Sequence, residues 1–365
     1  MDPSALLPPG VASLDDYEEL ARTRLDASAW AYIAGGAADE RTLAWNRTAF
    51  DRIALQARVL ADFSHASTAL SLLGQDLAYP ILLAPVALQK LAHPDGERAT
   101  VAGASAIGAA MVVSTEATCS IDEIAQLAEV PLWFQLYVQH DREFTRDLVQ
   151  RAETAGYRAL VVTVDAPVSG ARNRLQRAGF RLPPGVELVN LRGARAPSTA
   201  APSLIDSPLF SGALASSPTW KDIDWLSAQT RLPVLLKGIS SPDDTARAID
   251  SGAQGIVVSN HGGRTLDTLP ASIDLLPPIA ERVERRVPIL LDGGIRRGTD
   301  VLKALALGAT AVMIGRPYVY GLAVGGAVGV AHVVSILRAE LEMAMALTGC
   351  ARLADITPEV IWRDR

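Results

Sequence analysis

Eight short apolar runs dominate the middle of this chain, each followed by a turn rich in Gly, Pro or Asp and then by an amphipathic stretch. Continuous Val, Ile and Leu runs are typical of parallel strands that helices cover on both faces. Eight βα units close a sheet into a (β/α)8 TIM barrel. An open doubly wound sheet uses the same units, but no dinucleotide-binding glycine pattern follows any run, so we expect the barrel. The runs are Ile81–Pro85, Met111–Ser114, Leu132–Tyr137, Ala159–Val164, Val234–Lys237, Gly255–Ser259, Pro288–Asp292 and Ala311–Ile314.

Helix signals lie between the runs. Residues 141–155 and 299–307 each place their apolar side chains on one face, as amphipathic helices do. Ser241 before Pro242 is a favourable helix start, because the serine hydroxyl can cap the first N–H groups. A glycine follows three of the predicted helices, where a left-handed residue ends the helix and turns the chain into the next strand. These glycines are Gly156, Gly252 and Gly308.

We predict one domain over residues 1–365, with the barrel in residues 76–350 and two regions outside the repeat. Residues 1–75 precede the first barrel strand and are expected to form an N-terminal helical cap. Residues 183–218, rich in Ala, Ser and Pro, interrupt the fourth βα unit. A long connection on the face where barrel enzymes keep their chemistry is typical of a lid, and a plain solvated loop is the alternative.

Composition argues against several classes of function. Hydrophobic residues make up 49% of the 365 residues and charged residues 20%, and the net charge of −6 disfavours nucleic-acid binding. Cys119 and Cys350 stand far apart without ligand-like neighbours, so neither a disulfide framework nor a metal site is expected. The first 20 residues lack a secretory pattern, and the apolar stretch 321–334 is too short to span a membrane. We expect a cytoplasmic protein that does not bind membranes.

Polar residues and glycines cluster at the predicted carboxyl ends of the strands. This rim carries the chemistry in barrel enzymes. It holds a base, an acid partner, cations and two glycine turns, as an active site would. Its members are Pro85, Val86, Ala87, Ser114, Gln135, Tyr137, Thr163, Asp165, Lys237, Ser259, Asn260, His261, Asp292, Gly293, Gly294, Gly315 and Arg316.

The turns after the last two strands indicate a phosphate site. Residues 292–296 and 315–316 each combine bare glycine backbone with an arginine. Barrels commonly bind a ligand phosphate there through backbone N–H groups that glycine leaves accessible. Tight turns alone could explain these glycines, but their occurrence in both final units favours phosphate. The phosphate could belong to FMN, PLP or a sugar phosphate, so this site alone names no chemistry.

His261 is the strongest catalytic candidate. It follows a strand end and stands ahead of two glycines and Arg264. Histidine titrates near neutrality and can take and return a proton, and a guanidinium can hold a carboxylate with two hydrogen bonds. A base beside a carboxylate clamp suits chemistry at the carbon next to an acid group. Lys237 could be a Schiff-base lysine, a partner of a buried carboxylate or a fixed charge beside a cofactor.

Specific strings of residues carry a resemblance to a known family. The strongest are Ser-Asn-His-Gly-Gly-Arg at 259–264 and Asp-Gly-Gly-Ile-Arg-Arg-Gly-Thr-Asp at 292–300, together with Tyr-Ile-Ala-Gly-Gly-Ala at 32–37 and Thr-Val-Asp-Ala-Pro at 163–167. With these the chain resembles the FMN-dependent 2-hydroxy acid oxidases and dehydrogenases, such as glycolate oxidase, lactate oxidase and mandelate dehydrogenase. The resemblance implies FMN as the cofactor and a small (S)-2-hydroxy acid as the substrate.

The resemblance also implies roles for individual residues. For catalysis and substrate binding it implies His261 as the base, Asp165 as its orienting carboxylate, Tyr137 as the partner of the substrate hydroxyl, Arg264, Arg172 and Tyr32 as partners of the substrate carboxylate, and Lys237 as the cation beside the flavin. For the flavin ring it implies Pro85, Val86, Ala87, Ser114, Gln135 and Thr163. For the ribityl chain and phosphate it implies Ser259, Asp292, Gly293, Gly294, Arg296, Gly315 and Arg316.

Three positions depart from the family pattern. Glu116 stands where glycolate oxidases have a tryptophan, and because a carboxylate repels an anionic substrate we expect it to point away or to pair with an arginine. Ala171 replaces a frequent arginine, which leaves Arg172 as the clamp. Ser169 is small, which indicates room for a larger side chain such as phenyl. These changes favour mandelate-like or medium-chain acids over glycolate, with lactate also open.

The electron acceptor is expected to be molecular oxygen. Ala87, rather than glycine, beside the flavin is the oxidase-like choice within the family, and residues 192–219 lack the apolar, basic insertion of membrane-bound members. A soluble dehydrogenase that uses a quinone is the nearest alternative. An FMN barrel with isomerase or nucleotide chemistry is disfavoured by the carboxylate clamp. Family members are often tetramers, so by analogy we expect a homo-oligomer, namely a homotetramer.

Overall fold

The parallel strands of this chain close on themselves. A computed structural model describes residues 8–194, 209–210, 214 and 217–362. In these residues eight parallel strands pair in chain order, and the last pairs with the first through Val312 and Ile81, which leaves the sheet without a free edge. The predicted TIM barrel is therefore confirmed. Its strands are β3 Ile81–Leu83, β4 Met111–Ser114, β5 Leu132–Leu136, β6 Leu160–Thr163, β7 Val234–Ile239, β8 Gly255–Val258, β9 Ile289–Asp292 and β10 Ala311–Ile314.

Helices alternate with the barrel strands along the chain. The predicted cap at Ser241 is present, since its side chain accepts from the Asp244 N–H. Asp141 caps α6 in the same way by accepting from the N–H groups of Glu143 and Phe144. Short 3-10 turns lie at Gln89–Leu91, Val189–Leu191, Leu353–Asp355 and Pro358–Val360. In the described residues the α-helices are α1 Leu14–Arg24, α2 Ala27–Ala34, α3 Arg41–Asp51, α4 Glu97–Ile107, α5 Ile121–Leu127, α6 Arg142–Thr154, α7 Asn173–Arg177, α8 Trp220–Ser227, α9 Pro242–Asp250, α10 Ser272–Val283, α11 Gly298–Ala306 and α12 Arg316–Leu347.

The three predicted terminating glycines all adopt the left-handed conformation. Gly156, Gly252 and Gly308 have φ angles of 88°, 85° and 113°, which L residues rarely adopt. They follow α6, α9 and α11, and each turns the chain toward the next barrel strand. The spacing of these glycines in the sequence therefore marks three of the helix-to-strand junctions correctly.

The N-terminal segment is helical, as expected, but it also contains a hairpin that was not predicted. Strands β1 (Leu70–Leu72) and β2 (Gln75–Leu77) pair antiparallel, and Leu72 and Leu77 are buried in the cluster of inward-facing barrel residues that contains Trp133. The indole N–H of Trp133 donates to Gln75 Oε1 at 2.9 Å. The hairpin thus fills the barrel at the end opposite the carboxyl ends of the strands. Strands of three residues are too short to show a period in sequence.

Helix α12 is the one helix in the described part of the chain that is long and apolar enough to cross a membrane. Its backbone is non-helical at Gly325 and Gly326, so it consists of two shorter helices across a kink. It packs against α1, α4 and α11, and Val330, Val333 and Val334 are fully buried there. The packing buries most of residues 321–334, the apolar stretch that was predicted to be too short to span a membrane.

The insertion in the fourth unit separates β6 from α8. The described part contains α7 and the 3-10 turn Val189–Leu191, where the Asn190 side chain accepts from the Ile121 N–H at the start of α5. Ala194, Ser217 and Pro218 line the cavity at the carboxyl ends of the strands. Of the predicted lid, 183–218, residues 195–208, 211–213 and 215–216 lie outside the described residues.

Candidate active site

A cavity of about 800 Å³ opens at the carboxyl ends of the barrel strands. Two of the predicted site residues, Asp165 and Ser259, do not line it and lie behind its wall. The others all line it, and they are Tyr32, Pro85, Val86, Ala87, Ser114, Gln135, Tyr137, Thr163, Arg172, Lys237, His261, Arg264, Asp292, Gly293, Gly294, Arg296, Gly315 and Arg316.

His261 and Asp165 form a hydrogen-bonded pair at the ends of β8 and β6. Nδ1 of His261 lies 2.9 Å from Oδ1 of Asp165, and the His261 backbone N–H donates to Ser259 Oγ at 3.0 Å. Because Nδ1 is engaged by the carboxylate, Nε2 is the ring atom free to accept a proton. Burial and then the charge of Lys237 lower the pKa of His261. Burial alone would raise the pKa of Asp165, but the hydrogen bond and charge of His261 together with the charge of Lys237 outweigh it, and the pKa is lowered. The resting pair is a neutral imidazole beside an ionised carboxylate.

Lys237 is a buried cation with two partners. Its Nζ lies 3.1 Å from Asp292 Oδ2 and donates to Ser259 Oγ at 3.1 Å. Burial would lower the pKa of Lys237, but the charges of Asp292 and Asp165 raise it above its usual value. A raised pKa opposes the neutral amine that a Schiff base requires. Of the three roles left open by the sequence, a carboxylate partner and a fixed positive charge fit this geometry.

Two arginines and a tyrosine form one wall of the cavity. Arg264 Nη1 donates to the carbonyl of Tyr32 at 2.8 Å, and Arg172 Nη2 donates to the same carbonyl at 3.3 Å. Nε of Arg172 is buried without a partner in the described residues. Burial lowers the pKa of Arg172 to about 10, so it stays charged at neutral pH. The wall therefore presents unsatisfied donors and positive charge to an anionic ligand.

Tyr32 is held by a residue that the sequence did not reveal. The Tyr32 ring stacks on the Phe180 ring with their centroids 5.0 Å apart. The Arg264 guanidinium lies over the Tyr32 ring, 5.3 Å from its centroid, and forms a cation–π contact. Phe180 lies just beyond α7, in the insertion. Nothing in the local sequence distinguishes it from an ordinary loop residue. The contact fixes the position of Tyr32 at the cavity wall.

Three polar side chains form a hydrogen-bonded row across the ends of β4, β5 and β6. Ser114 Oγ donates to Gln135 Oε1 at 3.1 Å, and Gln135 Nε2 donates to Thr163 Oγ1 at 3.0 Å. All three are buried. Pro85 and Ala87 stand on the same cavity surface after β3. Rows of fixed donors and acceptors like this suit the polar edge of a planar ring.

An anion site lies where the sequence predicted it, after β9 and β10. Arg296 is 7% exposed, and its Nε has no partner in the described residues. Gly315 caps the N-terminus of α12, and the atom nearest to a Cβ placed on it is 3.7 Å away, so the approach is open. The N–H groups at a helix N-terminus attract a phosphate. These features fit the phosphate of a nucleotide cofactor.

Some of the residues predicted to bind the phosphate also make structural contacts within the protein. The Arg316 guanidinium donates to the carbonyls of Ile33, Gly262 and Gly35 at 2.9–3.1 Å, so it ties the N-terminal segment to the barrel. A Cβ on Gly294 would stand 1.9 Å from the carbonyl oxygen of Asn46 in α3, so close packing alone requires glycine there. Direct contacts of Arg316 and Ser259 with the cofactor stay predictions.

Glu116 corrects one expectation. It neither points away from the cavity nor forms an ion pair with an arginine in the described residues, but lines the cavity after β4. Burial raises the pKa of Glu116, and the charge of Arg264 acts in the opposite direction. Repulsion would follow only if the substrate carboxylate lay against Glu116, whereas the cationic wall of Arg172 and Arg264 lines the same cavity and can hold that carboxylate.

A second unpredicted contact joins the N-terminal cap to the catalytic loop. The side-chain amides of Asn46 and Asn260 donate to each other's oxygens at 2.8 Å in both directions. Asn260 precedes His261 directly, so α3 supports the backbone that carries the base. Asn46 belongs to Leu-Ala-Trp-Asn-Arg at 43–47, a further string that carries the family resemblance, and this is the signal that could have pointed to it.

The fold and the cavity together define a barrel enzyme that binds a phosphorylated cofactor beside an anionic substrate. The family model for FMN-dependent dehydrogenases matches residues 21–363. This chain belongs to the FMN-dependent dehydrogenase family, and FMN is its cofactor. The buried Nε of Arg296 and the open helix end at Gly315 fit that cofactor.

Similar proteins include characterised oxidases. The chain is 48% identical to an L-lactate oxidase of Alicycliphilus denitrificans over 361 residues, with 99% of each chain covered. It is 50% identical to an L-lactate oxidase of a Nostoc species over 351 residues, covering 94% of this chain and 96% of the relative. A solved structure of mandelate oxidase with (S)-2-phenylpropionate has a TM-score of 0.87 at 40% identity and covers 96% of this chain and 98% of that one.

Proposed function

We propose that this enzyme oxidises an (S)-2-hydroxy acid to the 2-oxo acid and passes the electrons to molecular oxygen, which forms hydrogen peroxide. The observation that carries the proposal is the His261–Asp165 pair opposite the cationic wall of Arg172 and Arg264. A base and a carboxylate clamp in one cavity suit reaction at the carbon next to a carboxylate. The names of the similar lactate and mandelate oxidases support the same reaction class.

The residues of this chain divide the work of the reaction. Arg172 and Arg264 bind the substrate carboxylate with a further hydrogen bond from Tyr32, and Tyr137 holds the 2-hydroxyl. His261 Nε2 takes one proton from the substrate, and Asp165 stabilises the imidazolium that results. Bound FMN supplies the two-electron acceptor. Overall, the 2-hydroxy acid loses two electrons and two protons, and oxygen gains them as peroxide.

Residues at both ends of the cavity would hold the cofactor. Lys237 would place a fixed positive charge beside the flavin, where a positive charge favours the reduced form. Arg296 and the N-terminus of α12 would hold the phosphate. The cavity-lining residues that would contact the ring and ribityl chain are Pro85, Val86, Ala87, Ser114, Gln135, Thr163, Asp292, Gly293 and Gly294.

We further propose a substrate larger than glycolate, with mandelate-like and medium-chain acids ahead of lactate. Ser169, whose side chain is small, lines the cavity together with Arg172. The mandelate oxidase structure supports an aromatic side chain, whereas the lactate oxidases support a methyl group. The choice between them is a matter for direct measurement.

The test is an anaerobic bleaching screen of the purified yellow enzyme. Each enantiomer of glycolate, lactate, mandelate and longer 2-hydroxy acids is added, and flavin absorbance is followed, then air is admitted and peroxide is assayed. Bleaching by (S)-acids followed by stoichiometric peroxide is the expected result. Bleaching with dye reduction but without peroxide would indicate a dehydrogenase instead, and a colourless protein that takes up no FMN would refute the cofactor assignment.

We also propose that the enzyme is a cytoplasmic homo-oligomer, a tetramer by analogy. Both cysteines, Cys119 and Cys350, are free and buried, which fits a reducing compartment. Val59, Leu60 and Leu347 are 83%, 100% and 71% exposed, and the Arg58 N–H donates to the Leu347 carbonyl, so these apolar side chains share one surface. Light scattering of the holoenzyme decides the oligomeric state.

A further inference from the structure

The carboxylate of Glu116 stands in the active-site cavity without a partner. Its backbone is fixed, since its N–H donates to Ser114 Oγ at 3.1 Å and its carbonyl accepts from the Leu88 N–H at 3.1 Å. The side chain is partly buried and makes no hydrogen bond or ion pair with the part of the chain that the structure describes. The backbone of Glu116 is thus anchored, while its side chain lines the cavity without a partner in the described residues and is available to a ligand.

Glu116 interacts electrostatically with the residues expected to bind the substrate. Its negative charge raises the pKa of both Tyr32 and Tyr137, and the charge of Arg264 lowers its own. Glu116 therefore acts in the same space as the groups that hold the substrate, yet it is not neutralised by a salt bridge with them. The cavity has one cationic wall for the substrate carboxylate and a separate acidic group for another part of the ligand.

Partial burial penalises the charged form of Glu116 and raises its pKa. A ligand that donates a hydrogen bond to it recovers that cost. A substrate methyl group in the same place displaces water but forms no hydrogen bond with Glu116, and a second substrate carboxylate is repelled by it. The preference of the site is thus determined by what the substrate carries on its side chain.

We propose that Glu116 selects 2-hydroxy acids whose side chain carries a hydroxyl or ammonium group, by accepting a hydrogen bond from it, and that it excludes 2-hydroxy diacids. This inference rests on the proposed function, because it concerns the substrate of the same site. The 2-hydroxy carboxylate end binds Arg172 and Arg264, and the donor on the side chain reaches Glu116. Glu116 is a specificity residue and takes no part in proton removal from the reacting carbon.

The test uses pairs of substrates that differ only in a hydroxyl replaced by methyl. The pairs are glycerate with 2-hydroxybutyrate, 2,4-dihydroxybutyrate with 2-hydroxypentanoate, and 4-hydroxymandelate with 4-methylmandelate, and malate serves as the diacid. The rate of anaerobic flavin reduction is measured against substrate concentration for each. For at least one pair, the ratio of the limiting reduction rate to Kd should be about ten- to a hundredfold higher for the hydroxyl compound, mainly through Kd, as expected for a hydrogen bond to a charged group.

Variants separate charge from hydrogen bonding. Glu116→Leu should abolish the preference for the hydroxyl compound. Glu116→Gln, which keeps an acceptor but loses the charge, should retain part of it and should admit malate. The control is Glu129→Gln, which changes an exposed glutamate between α5 and β5. It should leave the rate ratio within every substrate pair unchanged. FMN absorbance of each variant reports that the site is folded.

The outcomes are distinct. A hydroxyl preference in the wild type that disappears in Glu116→Leu supports the proposal. Equal rates within every pair, a preference that survives in Glu116→Leu, or rapid reduction by malate in the wild type overturns it, even when simple 2-hydroxy acids reduce the flavin. Only the failure of every 2-hydroxy acid to bleach a flavin-loaded enzyme overturns the proposed function as well.

Discussion

His261 adopts a left-handed backbone conformation, with φ at 57°, that is unusual for a side-chain-bearing residue. Such conformations cost about 1–2 kcal/mol and occur where the surrounding structure enforces them. Here the Ser259 hydroxyl, the following glycines and the Asn46–Asn260 pair hold the turn. This backbone conformation directs the imidazole toward Asp165 and into the cavity. The base was predictable from its place after a strand, but its conformation was not.

Replacing Asp165 by Asn should slow flavin reduction by about 10²- to 10⁴-fold while FMN remains bound. Asn cannot stabilise an imidazolium, and its amide N–H can face Nδ1 and favour the wrong tautomer. Anaerobic stopped-flow absorbance measures the rate. A variant that reduces its flavin at the wild-type rate would remove Asp165 from the mechanism.

The acidic limb of kcat/KM should lie below pH 6.5. His261 must be neutral to accept a proton, and burial together with Lys237 lowers its pKa below the usual value of 6.5. Activity is therefore lost only as the pH falls through that lowered pKa. In Asp165→Asn the limb should move still lower, since the partner that raises the pKa of His261 is removed. A wild-type limb at or above neutrality would contradict this assignment of charge.

At the level of elements, the regular parts were predictable and the irregular contacts were not. All eight barrel strands appear as apolar runs because helices bury both faces of the sheet, and the helix-ending glycines mark the junctions. The β1–β2 hairpin and the stack of Phe180 on Tyr32 depend on tertiary packing that leaves no period in sequence. The position of Glu116 in the cavity also depends on tertiary packing, so the local sequence did not reveal it.

Gly294→Ala should destabilise the protein more than Gly156→Ala. Both glycines have nearly the same φ, 87° and 88°, so each substitution brings about 1–2 kcal/mol of left-handed strain. A Cβ at Gly156 meets open space, whereas one at Gly294 meets the Asn46 carbonyl at 1.9 Å and displaces α3. Overpacking of this kind adds about 1–3 kcal/mol.

Urea denaturation of the two variants measures the difference, and FMN content is read on the same samples. We expect Gly294→Ala alone to lose FMN as well, since residues 293–294 line the cavity. Equal losses of unfolding free energy in the two variants would show that α3 can move away from the added Cβ without destabilising the protein.

At the scale of the whole molecule, the cap and the barrel share the site. Arg264 and Arg316, which follow the sixth and the eighth barrel strands, both donate to the Gly35 carbonyl beside α2. The phosphate site and the anchoring of the N-terminal segment thus meet at the start of α12. Cofactor binding and the stability of the cap should therefore be coupled, because both depend on the same few residues.

Removal of FMN should lower the melting temperature, because a ligand that binds only the folded state stabilises it by mass action. Arg296→Gln should weaken FMN binding by about ten- to a hundredfold, the value of a hydrogen bond to a charged group. Flavin fluorescence titration of the apoprotein measures the affinity. Arg282→Gln, an exposed arginine on α10, is the control and should bind FMN normally. An unchanged affinity in Arg296→Gln would place the phosphate elsewhere.

The closure of the barrel between Val312 and Ile81 bears on how the enzyme is made. During synthesis the N-terminal segment leaves the ribosome long before its anchors at Arg264 and Arg316 exist. The first barrel strand cannot complete its pairing until the last strand has been synthesised, and contacts so distant along the chain form slowly. A nascent chain stalled before residue 311 lacks both the closing strand and the phosphate-binding helix end, so flavin is acquired only after translation is nearly complete.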